Sequence, residues 1–200
     1  ELGEGVSIRE IERGIVRYGE SGKRSSVFRM RKKKKAVIFG SGLFPLFLAG
    51  ELEKKMYPTT IYCQEEDYES YILAAAPRLS ESDCKNEAKR LKSMDLDFEF
   101  GCSLAIPFIQ EKMKLADVVC ASEEVAQNLA PEESADLEIM LREQAGIVSG
   151  PTQSVMDAAF AAKRAALTVD LLVQNLSPHS NRGSEGAVTT SLYTNMEGIE

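Results

Sequence analysis

The stretch Ala36-Val37-Ile38-Phe39-Gly40-Ser41-Gly42 decides the fold of this 200-residue chain. Its first four residues form an apolar run that is typical of a buried β-strand, and the two glycines follow directly. A helical pattern of about fourteen residues continues from there to Met56. The β-branched run Thr59–Cys63 then indicates a second strand. The sequence therefore predicts a strand–turn–helix–strand unit over residues 35–63.

Glycines placed between a strand and a helix have a specific chemical use. Gly40 permits a tight turn, and Gly42 lets the backbone approach a diphosphate group. The start of the helix supplies unpaired N–H groups and a partial positive charge. We therefore predict that a dinucleotide binds through its phosphates to four consecutive residues: Gly40, Ser41, Gly42 and Leu43. The third glycine of the G-x-G-x-x-G pattern is replaced by Pro45, which removes one N–H group.

The end of the second strand is where such a unit holds the ribose of its ligand. A carboxylate is expected there, and this chain has Cys63, followed by Gln64 and Glu65. A thiol does not accept two hydroxyl hydrogen bonds as a carboxylate does, so Glu65 would take this role after a shift in register. All three residues are candidates for cofactor binding. The alternative is a corner that keeps its shape without a ligand.

The rest of the chain alternates helical and strand patterns, which predicts an α/β fold of the Rossmann type with a mainly parallel sheet. Further helices are predicted at 6–19, 81–94, 108–114 and 132–144 and from Pro151 to about Leu176, with strands at 97–101 and 117–121. The predicted organisation is an N-terminal helix and basic linker (1–34), a dinucleotide-binding domain (35–176) and a flexible tail or connector (177–200).

The net charge of −7 is unevenly distributed along the chain. Residues 1–35 carry an excess of basic side chains, whereas residues 36–200 are strongly acidic. This argues against a nucleic-acid-binding surface on the domain. The basic run Arg29–Lys35 is either a solvated lead-in to the first strand or a site for an acidic partner. Because the sequence has neither a membrane-spanning apolar run nor a secretory signal pattern, we expect a cytoplasmic protein without membrane contact.

The four cysteines, Cys63, Cys84, Cys102 and Cys120, are dispersed, and the single histidine is His179. Structural zinc sites and iron–sulfur clusters need clustered Cys or His ligands, so we expect this chain to bind no metal by itself. Reduced, buried cysteines are the simplest interpretation. A redox or cluster-facing role is the alternative for the three cysteines that lie at predicted strand ends, where α/β sites gather.

Taken in order, these segments resemble the FAD domain of the glutamate synthase small-subunit family. The resemblance covers roughly residues 5–176. Besides the strand–turn–helix–strand unit, it is carried by Val6–Arg13, Pro77-Arg78-Leu79, Phe98-Glu99-Phe100, Asp117–Ala121 and Gly150-Pro151-Thr152. In that family the last helix points its N-terminus toward the flavin. The resemblance therefore implies that Ala121, Gly150, Pro151 and Thr152 also belong to a cofactor site for FAD.

The chain departs from that family at several motif positions. Pro45 and Cys63 replace a glycine and an acid, Ser122-Glu123 replaces a threonine–glycine pair, and no room remains for an NADPH-binding domain between residues 121 and 146. The resemblance thus implies a reduced flavin domain of a larger oxidoreductase, which transfers electrons between FAD and the iron–sulfur centres of a partner module or subunit. The alternatives are a non-catalytic flavin-domain scaffold for subunit docking and a small NAD(P)-binding domain.

Overall fold

The computed structural model describes residues 30–129, 140–142, 147–150 and 154–176. Contacts divide the chain between Met30 and Arg31, and the sheet and helices given below belong to the second part. The predicted helix at 6–19 and the predicted tail at 177–200 lie outside the described residues.

The described residues form one sheet and six helices. The strands are β1 (Ala36–Phe39), β2 (Thr59–Tyr62), β3 (Asp97–Glu99), β4 (Val118–Ser122), β5 (Met140–Arg142) and β6 (Ile147–Gly150). The helices are α1 (Leu43–Lys54), α2 (Tyr68–Ala75), α3 (Glu81–Lys92), α4 (Ile106–Met113), α5 (Glu123–Leu129) and α6 (Val155–Val173). The strand order is β3-β2-β1-β4-β6-β5, and every neighbouring pair is parallel except β5 with β6. The predicted α/β fold with a mainly parallel sheet is confirmed.

The strand order changes direction at β1, because β2 and β3 extend the sheet to one side while β4, β6 and β5 extend it to the other. Open α/β sheets bind their ligands at such a switch point, outside the carboxyl ends of the strands. Strand β1 ends at Phe39. The turn Gly40–Gly42 therefore stands at the position where a ligand of this fold is expected.

Alternating side chains of the central strands supply two cores, one on each face of the sheet. On one face, Ile38 and Cys120 pack with residues of α1, α2, α3 and α6. On the other face, Phe39 and Ala121 pack with residues of α4 and α5. All four residues of β1 are buried. This coverage on both faces explains why β1 is a continuous apolar run instead of an alternating one.

Helices α1 and α6 pack against each other on the first of these faces. Residues of α6 at helical spacing are fully buried, among them Ala158, Ala162, Ala166 and Val169. Their small size lets α6 lie close to its neighbours. Val155, the first residue of α6, is 57% exposed.

The two largest differences between the predicted helices and the structure lie beyond β4. The long helix begins at Val155 instead of Pro151, because Ser154 still has an extended backbone with φ −119° and ψ 137°. The prediction of a helix over 132–144 is wrong at Met140–Arg142, which form β5 antiparallel to β6. Leucine, methionine and arginine favour helices locally, and the hydrogen bonds of strand pairing outweigh that preference here.

Helix α1 ends two residues before the predicted end, in a Schellman motif. Met56 adopts a positive φ of 66°. The N–H of Met56 donates to the carbonyl of Glu53 at 2.9 Å, and the N–H of Tyr57 donates to that of Leu52 at 3.1 Å. These bonds fix the turn that leads into β2 and place the Tyr57 side chain where it reaches α6.

Asp170 of α6 is the acceptor of an ionic cluster. It accepts hydrogen bonds from Lys32 Nζ (2.6 Å), from the Tyr57 hydroxyl (2.6 Å) and from Lys55 Nζ. Burial by itself raises the pKa of this carboxyl, but the three donors outweigh that effect and lower the pKa to about 2. The cluster ties the segment before β1 and the end of α1 to α6.

The basic run before β1 pairs with acidic residues of the same domain. Arg31 binds Asp95, and Lys34 Nζ lies 2.7 Å from Asp117, in addition to the pair between Lys32 and Asp170. The backbone N–H of Lys35 also donates to Asp117 at 2.8 Å. Three cations of the run are thus bound within the domain, and the run is more than a solvated lead-in.

We expect Asp170→Asn to lower the free energy of unfolding at neutral pH by about 1–2 kcal/mol, because it removes the charge that two lysines bind in a half-buried site. The folded-state pKa, about 2, lies below that of the unfolded chain. The contribution is therefore complete above about pH 5 and is lost as the pH falls toward 2. Urea unfolding gives the free energy of unfolding of wild type and variant at neutral pH and near pH 3. The difference between the two proteins should be smaller near pH 3.

Asp95→Asn is the matched control, because the Asp95 side chain is 58% exposed. It should change the free energy of unfolding by less than about 0.5 kcal/mol. Equal losses for the two variants, or an Asp170→Asn effect that persists unchanged in acid, would contradict this account of the cluster.

Candidate functional site

The carboxyl ends of the parallel strands bring most of the predicted site residues to one edge of the sheet. Phe39 of β1 is in register with Tyr62 of β2 and Ala121 of β4, and Ser122 of β4 is in register with Gly150 of β6. The predicted residues that lie near or just past these strand ends are Gly40, Ser41, Gly42, Leu43, Cys63, Gln64, Glu65, Ala121 and Gly150. Pro151 and Thr152 lie outside the described residues.

Gly40 has a backbone conformation and surroundings that exclude a side chain. Its φ is +97°, and an added Cβ would lie 2.3 Å from Ser122 Oγ and 3.3 Å from a methyl carbon of Val125. Its N–H donates to the carbonyl of Tyr62 at 2.9 Å. Glycine is therefore required here by the contact between the ends of β1 and β4, whether or not a ligand is bound.

Gly42 leads into α1 with φ 113° and ψ −177°, a conformation that is essentially restricted to glycine. No side chain caps α1, and no acidic residue lies in its first turn. Among the described residues, no acceptor binds the N–H groups of Gly42, Leu43 or Phe44. Unpaired N–H groups at the positive end of a helix dipole are the features that bind an anion.

In the next two helices, a side chain of the protein accepts a hydrogen bond from an N–H group of the first turn. Asp67 caps α2 by accepting from Ser70 N–H, and Ser80 caps α3 by accepting from Asp83 N–H. The first turn of α1 therefore has more unpaired N–H groups for a ligand to bind than the capped first turns of α2 and α3.

Pro45 belongs to the buried side of α1, together with Leu48, Ala49 and Leu52. It removes one N–H group from the first turn. Ser41, Gly42 and Leu43 remain partly exposed beside it. The replacement of the third glycine thus takes one donor from the site, while its ring packs on the core side of the helix.

Cys63 lies in the core instead of facing the edge of the sheet. It is fully buried, and its thiol lies 3.8 Å from the carbonyl oxygen of Glu99. Burial, followed by the charges of Glu65 and Cys102, raises the pKa of the thiol to about 12. The Cys63 side chain therefore stays protonated and offers no charged acceptor for a ribose.

Glu65 has the acceptor that the end of β2 otherwise lacks. Its Oε2 atom is buried and has no hydrogen-bond partner among the described residues. An unpaired buried acceptor costs roughly 1–3 kcal/mol, more when charged, and ribose hydroxyls are donors that satisfy it. Its backbone is held in place, because the Glu65 carbonyl accepts from Gly101 N–H and the Cys63 carbonyl accepts from Cys102 N–H, both at 2.8 Å.

Two further polar residues at this edge were not among the predicted site residues. The Tyr71 hydroxyl is buried without a hydrogen-bond partner in the described part of the chain. Burial, followed by the charges of Cys63 and Glu65, raises its pKa. Ser122 Oγ contacts the position of Gly40 and accepts a long hydrogen bond of 3.4 Å from Val125 N–H. The sequence offered a clue to Ser122, because it replaces a threonine of the family motif, but it offered none to Tyr71.

All four cysteines are free thiols, with Cys63, Cys84 and Cys120 buried and Cys102 partly exposed. Within the described residues, no group of three or more His, Cys, Asp or Glu side chains is arranged to hold a metal ion. None of the helices in that part of the chain combines the length and the apolar character needed to cross a bilayer.

No family model and no curated protein matches the chain. Among solved structures, a V8 variant of an imine reductase from Myxococcus stipitatus, in complex with NAD+, is similar at 13% identity and a TM-score of 0.29. The match covers 52% of this chain and 28% of that chain, so it spans under a third of the reductase. The strand order and the glycine turn themselves define the chain as a Rossmann-like α/β domain.

We expect Gly40→Ala to lower the free energy of unfolding by about 2–4 kcal/mol, because it adds both a strained positive φ and a clash with Ser122. Gly50→Ala, in α1, is the matched control: its Cβ would meet only Met94 Cε, at 3.8 Å. That control should be neutral or stabilising by up to about 1 kcal/mol.

Ser122→Gly in the Gly40→Ala background should restore part of the loss in the free energy of unfolding. Urea unfolding compares the variants, and similar stabilities for Gly40→Ala and Gly50→Ala would refute the assigned contact.

Proposed function

We propose that residues 35–176 form the flavin-binding domain of a larger oxidoreductase, in which FAD exchanges electrons with iron–sulfur centres held by a partner module or subunit. The domain supplies binding and electrostatics, and FAD supplies the redox chemistry. The choice of FAD and of such a partner rests on the resemblance to the glutamate synthase small-subunit family. The position of the ligand rests on the polar groups at the carboxyl edge of the sheet.

The open start of α1 at the switch point is the observation that carries the proposal. The N–H groups of Gly42, Leu43 and Phe44 lack partners among the described residues, and the turn before them is partly exposed. Hydrogen bonds from N–H groups to a charged phosphate contribute about 1.5–3 kcal/mol each, and the helix dipole adds about 0.3–1 kcal/mol. The missing N–H of Pro45 leaves a weaker cradle than three glycines would form.

Glu65 holds the adenosine ribose in this proposal. Its buried Oε2 atom accepts from one or both ribose hydroxyls, which satisfies an acceptor that is otherwise unpaired. Cys63 supports this position through its backbone carbonyl, which accepts from Cys102 N–H, and its thiol interacts with the Glu65 side chain. The flavin end of the ligand would extend past Ser122 toward Gly150, which are in register at the ends of β4 and β6.

A second candidate function, docking of partner subunits by a domain without its cofactor, is favoured by the surface of α6. Met156, Phe160 and Leu167 are 62%, 40% and 41% exposed. Their spacing of four and seven residues places them on one face of the helix. Neighbouring exposed apolar side chains of this kind are typical of protein contact surfaces.

Titration of the full chain with FAD separates the two functions. We expect saturable binding, monitored by the absorbance and fluorescence of the flavin. The Glu65→Gln variant should bind FAD about tenfold more weakly, because a neutral amide is a poorer acceptor of hydroxyl hydrogen bonds. Glu66→Gln is the matched control, since Glu66 is an exposed neighbour, and should bind as the wild type does.

A purified protein that shows no flavin absorbance, and that gains none with added FAD, would end the flavin proposal and leave the docking function. Equal weakening by Glu65→Gln and Glu66→Gln would remove Glu65 from the site while keeping the phosphate turn.

A further inference from the structure

We propose that Cys63 and Cys102 are a disulfide-forming pair, which a small-molecule disulfide such as glutathione disulfide oxidises reversibly. The bond would crosslink the end of β2 to the turn that follows β3. This proposal goes beyond the flavin function and does not depend on it.

The backbones of the two cysteines are already joined. Cys102 N–H donates to the carbonyl of Cys63 at 2.8 Å, which continues the pairing of β2 with β3 past the ends of both strands. Backbones joined in this way lie about 5 Å apart. Disulfides span Cα separations of about 4.4–6.8 Å, and the spacing of backbones joined in this way falls inside that range.

The two thiols also converge on one atom. Cys63 Sγ lies 3.8 Å and Cys102 Sγ lies 3.3 Å from the carbonyl oxygen of Glu99. Sulfur atoms that share one acceptor occupy the same small region, and rotation about the two Cα–Cβ bonds changes the distance between them. The proposal therefore requires rotation of these two side chains and no change in the backbone pairing.

The two thiols differ in accessibility, which sets the order of events. Cys63 is fully buried, whereas Cys102 is partly exposed. Cys84 and Cys120 are buried elsewhere, with the Cys84 thiol 3.6 Å from the carbonyl of Glu69. A reagent from solvent therefore reaches Cys102 first, and Cys63 is the resolving thiol.

The exchange balances in two steps. The sulfur of Cys102 attacks one sulfur of glutathione disulfide, which breaks its S–S bond and releases one glutathione that takes up the Cys102 proton. The sulfur of Cys63 then attacks Cys102 Sγ in the mixed disulfide, which releases the second glutathione with the Cys63 proton. Each cysteine loses one electron, and glutathione disulfide accepts both. Burial raises the pKa of both thiols, so the exchange is slow at neutral pH. The quantity to measure is therefore the fraction of protein that contains the disulfide at equilibrium.

Peptide mapping of the full chain tests the proposal. The folded protein is equilibrated with a mixture of reduced and oxidised glutathione, remaining thiols are alkylated, and the digest is analysed by mass spectrometry without reduction. We expect a linked Cys63–Cys102 peptide pair with the loss of two hydrogen atoms, which dithiothreitol reverses. The oxidised protein should also show a rise in Tm of about 8–16 °C, as the entropy of closing a loop of about 40 residues implies.

Variants give a second readout. Cys63→Ala should accumulate glutathione on Cys102, because the resolving thiol is missing, while Cys84→Ala should form the same linked pair as the wild type. The proposal is overturned if wild-type Cys102 remains unmodified, if it keeps glutathione without linking to Cys63, or if links to Cys84 or Cys120 form as readily. No nucleotide takes part in these measurements, so their failure is distinct from failure of FAD binding.

Discussion

The contact between the Gly40 backbone and the Ser122 side chain fixes the corner on which the rest of the candidate site depends. It closes the ends of β1 and β4 against each other, because an added Cβ would lie only 2.3 Å from Ser122 Oγ. Gly42 then turns the chain into α1, whose first N–H groups lie at the switch point of the sheet. The glycine pattern is thus partly a requirement of packing within the protein. For that reason the pattern alone indicates the fold more strongly than it indicates a cofactor.

Polar groups are paired at the amino ends of the strands, but two buried polar atoms of the described residues are not paired at the carboxyl ends. Before the strands begin, the basic run pairs with acids of the same domain, and Asp170 receives three donors. Where the strands end, Glu65 Oε2 and the Tyr71 hydroxyl are buried without partners among the described residues. Unpaired buried polar atoms lower stability, and these two belong to the segment that follows β2, at the edge where this fold binds ligands. The amino edge therefore stabilises the domain, while the carboxyl edge keeps the groups that a ligand would satisfy.

Local patterns predicted β1, β2 and α3 well, because apolar runs and helical periodicity depend on neighbouring residues. Helix α2 was not predicted, although Asp67 and Ser70 form its capping box. The error at Met140–Arg142 arose because pairing with β6 depends on residues that periodicity does not reveal. The same limit applies to the site: the inward side chain of Cys63 and the unpaired oxygen of Glu65 depend on Glu99 and the turn at Gly101, distant in sequence.

The central claim is that the N–H groups at the start of α1 bind a diphosphate, and backbone NMR of the 15N-labelled chain tests it most directly. Addition of ADP should shift the amide resonances of Ser41, Gly42, Leu43 and Phe44 together and to saturation, and AMP, which lacks the second phosphate, should shift them less. Resonances at these positions that stay unchanged at high ADP, or that respond equally to AMP, would contradict the account.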